Sequence, residues 1–252
     1  MHKTVTALSL AALLCVVSCK TTDTPLIGPA VNSLTGMHDE TEARLNTAAN
    51  NAVTAGKTDE ALALYTKLYA NDQSRDVALN YSQLLRKTGK TGKALDVLKP
   101  FVNGRDGSIR DNAEPIMLNE YAAANIEAGN YKMAEDALNK VLEDKKAASF
   151  QSDAYNLFGI VLDAKGQHKD AEEYYRQALD GWKGDPTSVM NNLGLCLASQ
   201  GKFDESLTIL RQALILAPQK PELARNIQMV TDLRKSVVPT APISVTIPAR
   251  NN

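Results

Sequence analysis

Asparagine is the residue whose spacing in this chain most asks for a chemical explanation. Asn46, Asn119, Asn156 and Asn191 each stand ten residues before a glycine, at Gly56, Gly129, Gly166 and Gly201. The same offset before Gly89 holds Leu79, with Asn80 beside it. A carboxamide offers both a donor and an acceptor, the two groups that a peptide backbone also carries. A ladder of them can hold an extended peptide through bonds of about 0.5–1.5 kcal/mol each. The same amides can instead bond neighbouring helices or loops, or face water, and the residue types leave these alternatives open.

Other chemistry finds no constellation. The histidines are His2, His38 and His168, and none has a second ligand or nucleophile at a motif spacing. No HExxH, Walker glycine loop, GxSxG or CxxC occurs, so neither catalytic residues nor a metal or other cofactor is expected. Acid pairs such as Glu172-Glu173 lie in amphipathic stretches and read as solvated faces. A formal net charge of -1 gives no basic surface for phosphate, and aromatic residues at 5% give few stacking platforms, so nucleic acid is not an expected partner. No run reaches the length of a membrane-spanning helix.

The cysteines divide differently. The chain begins MHKTVTALSLAALLCVVSCK, a short apolar run behind Lys3 that suits a secretory signal over residues 1–18. Val16, Val17 and Ser18 lead into Cys19, and this order resembles the lipobox of bacterial lipoproteins. The resemblance implies cleavage before Cys19, acylation of its sulfur and new amine, and attachment to the membrane through that lipid alone. Several acyl chains, at about 0.8 kcal/mol per buried methylene, anchor where one chain does not. By similarity to Gram-negative lipoproteins, Lys20 in place of Asp implies the periplasmic face of the outer membrane. The competing reading is a plain signal cut elsewhere. With Cys15 removed and Cys19 acylated, only Cys196 remains, inside the helical pattern NNLGLCLAS, where a packed thiol is expected.

These groups sit on a repetitive framework. Residues 19–41 carry the lipid site and a Thr-, Pro- and Gly-bearing stretch that reads as a tether. The segment from Thr187 to Lys220 matches the tetratricopeptide pattern, with Leu193-Gly194 in a first helix, Gly201 at the turn and Phe203 at the aromatic site. Ser206 and Ala213 take its small sites and Pro218 closes it. The unit from Ser152 to Asp185 supplies Phe158-Gly159, Gly166, Ala171, Tyr175 and Ala178 in the same order. Weaker copies carry turn glycines Gly129, Gly89 and Gly56, each followed five residues later by Ala134, Ala94 and Ala61. The turn glycines are 33, 40, 37 and 35 residues apart, which implies loop insertions such as NGRDGSIRDN before the third unit.

The expected fold is therefore all-α, a solenoid of five helical hairpins over residues 42–220, at about 42–74, 75–108, 115–148, 152–185 and 187–220. Leu223, Ile227, Val230 and Leu233 share one face of a capping helix at 221–236, and prolines mark residues 237–252 as a tail.

The layout of lipobox, tether, five units and cap resembles the TadD family of tight-adherence (Flp) pilus lipoproteins. The stretch VMNNLGLCLASQGKFDESLTILRQALILAPQKPELARNI is the most similar. What this resemblance implies is a non-enzymatic scaffold that binds proteins, with a pilus secretin or another pilus assembly component as partner. An adaptor for peptidoglycan enzymes and a scaffold for outer-membrane protein assembly share the same architecture.

Overall fold

A computed structural model describes residues 38–237. The signal, Cys19, the lipobox, most of the tether and the tail 238–252 lie outside the described residues. Among the described residues eleven α-helices run in order: α1 (His38–Thr54), α2 (Thr58–Asn71), α3 (Arg75–Lys87), α4 (Thr91–Val102), α5 (Pro115–Glu127), α6 (Tyr131–Glu143), α7 (Ala148–Ala164), α8 (His168–Gly181), α9 (Thr187–Ser199), α10 (Phe203–Leu216) and α11 (Pro221–Val237). Successive pairs make five hairpins, and α11 follows alone.

Each hairpin turns through a glycine. Gly166 and Gly201 sit at φ of 75° and 76°, the left-handed region that costs other residues strain. After α9, Gly201 N–H donates to Ala198 O and Lys202 N–H to Leu197 O, both at 2.9 Å, which satisfies carbonyls that the helix end exposes. The chain then reverses into α10 after three residues.

Small residues let the paired helices close. Ala61, Ala94, Ala134, Ala171, Ala178 and Ala213 are all fully buried. Ser206 takes the alanine site of the fifth hairpin and stays satisfied, because its hydroxyl donates to Gly194 O at 2.6 Å. Gly159 and Gly194 mark the closest crossings, where a Cβ would stand 2.6 Å from the Tyr175 ring and from Leu210 respectively. Each second helix also packs on the next first helix, and α3, α5, α7, α9 and α11 touch in sequence as one continuous layer. Each hairpin leaves apolar faces that only its neighbours cover, so the stack completes the core.

Helix α11 continues the register of the first helices. Asn192 donates to Asn156 Oδ1 at 3.1 Å, and Asn226 donates to Asn191 Oδ1 at 2.7 Å, so α11 sits on α9 as α9 sits on α7. In that register Gln228 occupies the place of Gly194 and is exposed. The small residue that lets a second helix close is therefore replaced on α11, which is the last helix among the described residues.

One detail differs from the sequence reading and another adds to it. Helix α1 starts at His38, so residues 38–41, read as tether, belong to the first hairpin. The insertion after α4 is ordered, with a bridge between Asn103 and Ile109 and the Arg110 N–H on Val102 O at 2.9 Å.

Ion pairs fasten the outer edge. Glu172 on α8 accepts from Arg176 at 2.8 Å, from Gln200 at 2.8 Å and from Lys202 at 2.6 Å. Partial burial pushes its carboxyl up, but the bonds from Lys202, Arg176 and Gln200 outweigh that and hold its pKa at about 2. A folded-state pKa below the unfolded value means stability that is present above about pH 4.5 and lost as pH falls toward 2. Glu172→Gln should therefore flatten the acid limb of stability over that window. A urea series in which wild type and variant lose stability in parallel between pH 5 and about 2 would remove this role.

Candidate protein-binding surface

The asparagines lie on first helices, as their register implies, and the structure shows what their amides do. Asn119 donates to Phe150 O at 2.9 Å, across from α5 to α7. Asn156 accepts from Asn192, and Asn191 accepts from Asn226, so each amide reaches the next first helix. Asn46 accepts from Asn50 one turn on, at 3.2 Å. Asn119, Asn156 and Asn191 are 7%, 3% and 3% exposed, and Asn46 is half-buried. For Asn119, Asn156 and Asn191, bonding to a neighbouring helix is the use that has geometry, whereas Asn46 bonds within α1.

Burial makes these bonds matter for stability. Asn192→Ala should leave the Asn156 oxygen without its donor and cost about 1–3 kcal/mol. A denaturation midpoint equal to that of wild type would show the pair to be idle.

A second polar group is not visible in the sequence. Arg86, near the end of α3, has a side chain only 2% exposed and grips Glu120 of α5 with two bonds, Nε to Oε1 at 2.8 Å and Nη2 to Oε2 at 3.2 Å. Its Nη1 donates to Glu127 at 2.6 Å. Burial works against the charge, but Glu120 and Glu127 outweigh it and keep the guanidinium protonated above its ordinary range. The available signal is a charged residue set inside an apolar run, LLRK and LNEYAAAN.

The third group joins α7, α8 and α9. Asp163 holds His168 Nδ1 at 2.8 Å and accepts from the Tyr175 hydroxyl at 3.1 Å. Cys196 is 1% exposed and donates to His168 O at 3.1 Å, and burial drives its thiol far above the usual range. A thiol held protonated is no nucleophile. His168 fixes a helix junction, as its place after the turn implies. Among the described residues no group of three or more His, Cys, Asp and Glu side chains is arranged to hold a metal ion, and no helix is long and apolar enough to cross a membrane.

Family models described as tetratricopeptide repeat match residues 46–100 and 156–221, and 113–183. Between them they reach all five hairpins. The chain belongs to the tetratricopeptide repeat family. No curated protein matches the sequence. Solved structures with the same fold include a chain of the APC/C hetero-tetramer Cut9–Hcn1, at 15% identity and TM-score 0.62, covering 79% of this chain. This chain spans only 38% of that one. The tetratricopeptide protein TTC0263 of Thermus thermophilus is 18% identical at TM-score 0.62, over 75% of this chain and 98% of its own. PilF of Pseudomonas aeruginosa is 16% identical at TM-score 0.53, over 81% of this chain and 94% of its own. Tetratricopeptide repeats bind protein partners.

Proposed function

We propose that the protein is a lipid-anchored scaffold on the periplasmic face of the outer membrane that binds a secretin or another component during assembly of a Flp-type pilus. The observation that carries the scaffold half is the stack itself, five hairpins and a cap whose first helices from α3 onward touch in sequence. The buried polar groups within it are spent on joining helices, which suits a rigid support for another protein. The anchor half rests on Val16-Val17-Ser18-Cys19 behind a short apolar leader. The pilus assignment rests on the resemblance to TadD lipoproteins, and a shared fold with PilF is compatible with it. The Thr-, Pro- and Gly-bearing stretch between Cys19 and α1 is the tether that this reading requires.

Radiolabelled palmitate fed to cells should label the wild-type chain and leave Cys19→Ala unlabelled. Equal labelling of both, or labelling of neither, would defeat the anchor.

A further inference from the structure

Two junctions of the stack are closed by the same amide pair. Asn156 accepts from Asn192 at 3.1 Å, and Asn191 accepts from Asn226 at 2.7 Å. All four side chains are buried. In sequence terms the acceptor stands ten residues before its turn glycine, and the donor Asn192 stands nine before the next one, Gly201. Asn226 holds the same place on α11. The chain spells this pair a third time. Asn46 is ten residues before Gly56 and Asn80 is nine before Gly89, so α1 carries the acceptor and α3 the donor. At the two remaining junctions those places hold Leu79 with Glu120 and Asn119 with Leu157, which cannot make an amide pair.

The third pair is not joined. Asn46 accepts instead from Asn50 on its own helix, at 3.2 Å. The Asn80 amide turns to the Tyr65 hydroxyl, which itself donates to Asn50 Oδ1 at 2.5 Å. A phenol thus stands between two first helices that carry the residues to meet amide to amide. None of Asn46, Asn50, Leu79, Asn80 and Gln83 is buried.

The first hairpin is fastened to the second from α2. The Tyr65 ring stacks on Tyr81 with centroids 6.1 Å apart, and the Tyr69 ring meets Tyr81 at 5.7 Å. Thr66 Oγ1 lies 2.9 Å from the Tyr81 hydroxyl, and the Tyr69 hydroxyl donates to Val97 O at 3.4 Å. Residues 65, 66 and 69 lie along one side of α2, so these contacts form a single seam. A hairpin held along one seam can turn about it, whereas one held through both of its helices cannot.

We propose that the first hairpin swings about this seam to a second position, in which Asn80 Nδ2 donates to Asn46 Oδ1 and α1 closes on α3. Asn80 then exchanges the Tyr65 hydroxyl for Asn46 Oδ1, whose second lone pair goes on accepting from Asn50. Tyr65 keeps its bond to Asn50. One bond replaces another of like kind, so the two positions lie close in free energy and both are populated. Closing withdraws Leu79, Asn80 and Gln83 from any partner, so the hairpin gates that part of the first-helix surface. The device does not depend on which partner the scaffold serves.

Nitroxide labels at Asn51→Cys on α1 and Gln177→Cys on α8, both exposed sites, read the swing by double electron–electron resonance. The full chain carries Cys15→Ser and Cys19→Ser, and Cys196 is 1% exposed and stays unlabelled. Two distances should appear. Tyr65→Phe removes the hydroxyl that holds Asn80 and should enrich the shorter distance by about threefold. Asn46→Ala removes the acceptor of the closed position and should abolish that distance. A pair at Lys93→Cys and Gln177→Cys, both beyond the seam, should give one distance in every variant. A single distance from the first pair that neither substitution moves overturns the proposal. So does a shorter distance that survives Asn46→Ala.

Discussion

Arg86→Met will lower the unfolding free energy by about 3–5 kcal/mol, because it leaves Glu120 buried without a counter-charge. The side chains of Arg86 and Glu120 are 2% and 6% exposed, so water cannot take over for the lost guanidinium. Glu127 loses its 2.6 Å bond in the same step. The cost lies in the stranded charge rather than in the value of the pair, and this makes a sharper expectation. Arg86→Met combined with Glu120→Leu should recover most of the loss, since a buried ion pair exchanged for apolar groups is often neutral. Urea denaturation followed by circular dichroism reads both variants. A single variant within about 1 kcal/mol of wild type would mean that α3 and α5 are not locked by this pair.

The second large effect is at the crossing of α7 and α8. Gly159→Leu should destabilise by about 1–3 kcal/mol through overpacking. The first atom added would meet the Tyr175 ring at 2.6 and 2.7 Å. That ring has no easy retreat, for it is 2% exposed and its hydroxyl is held by Asp163 at 3.1 Å. Gly92 in α4 is the internal control, since a Cβ there meets nothing within 4 Å. Gly92→Ala should be neutral or stabilising by up to about 1 kcal/mol. If the two variants melt together, the register that places Gly159 at the crossing is wrong.

The hairpins can be read from the sequence because their cause is local. A glycine that must turn, an alanine five residues on and apolar residues at helical spacing all fall within one unit. The start of α1 is harder. HDET has no apolar period, so it reads as tether, although acids at 39 and 40 suit a helix's first turn. The Arg86, Glu120 and Glu127 group depends on α3 lying against α5, a fact of stacking that no single repeat contains. The asparagine ladder falls between these cases. Its register on the first helices is legible, but whether an amide faces a ligand or the next first helix depends on the repeat-to-repeat offset. Asn192 and Asn226, the donors to Asn156 and Asn191, fall outside the ten-residue series and carry no periodic signal for that reason.

A membrane-anchored scaffold for a pilus secretin is tested most directly by capture of the full-length chain from cells after crosslinking, with the bound proteins identified by mass. The wild-type chain should return the secretin from the outer-membrane fraction, and Cys19→Ala should lose it from that fraction. Recovery of amidases or endopeptidases without secretin would rule out the pilus role.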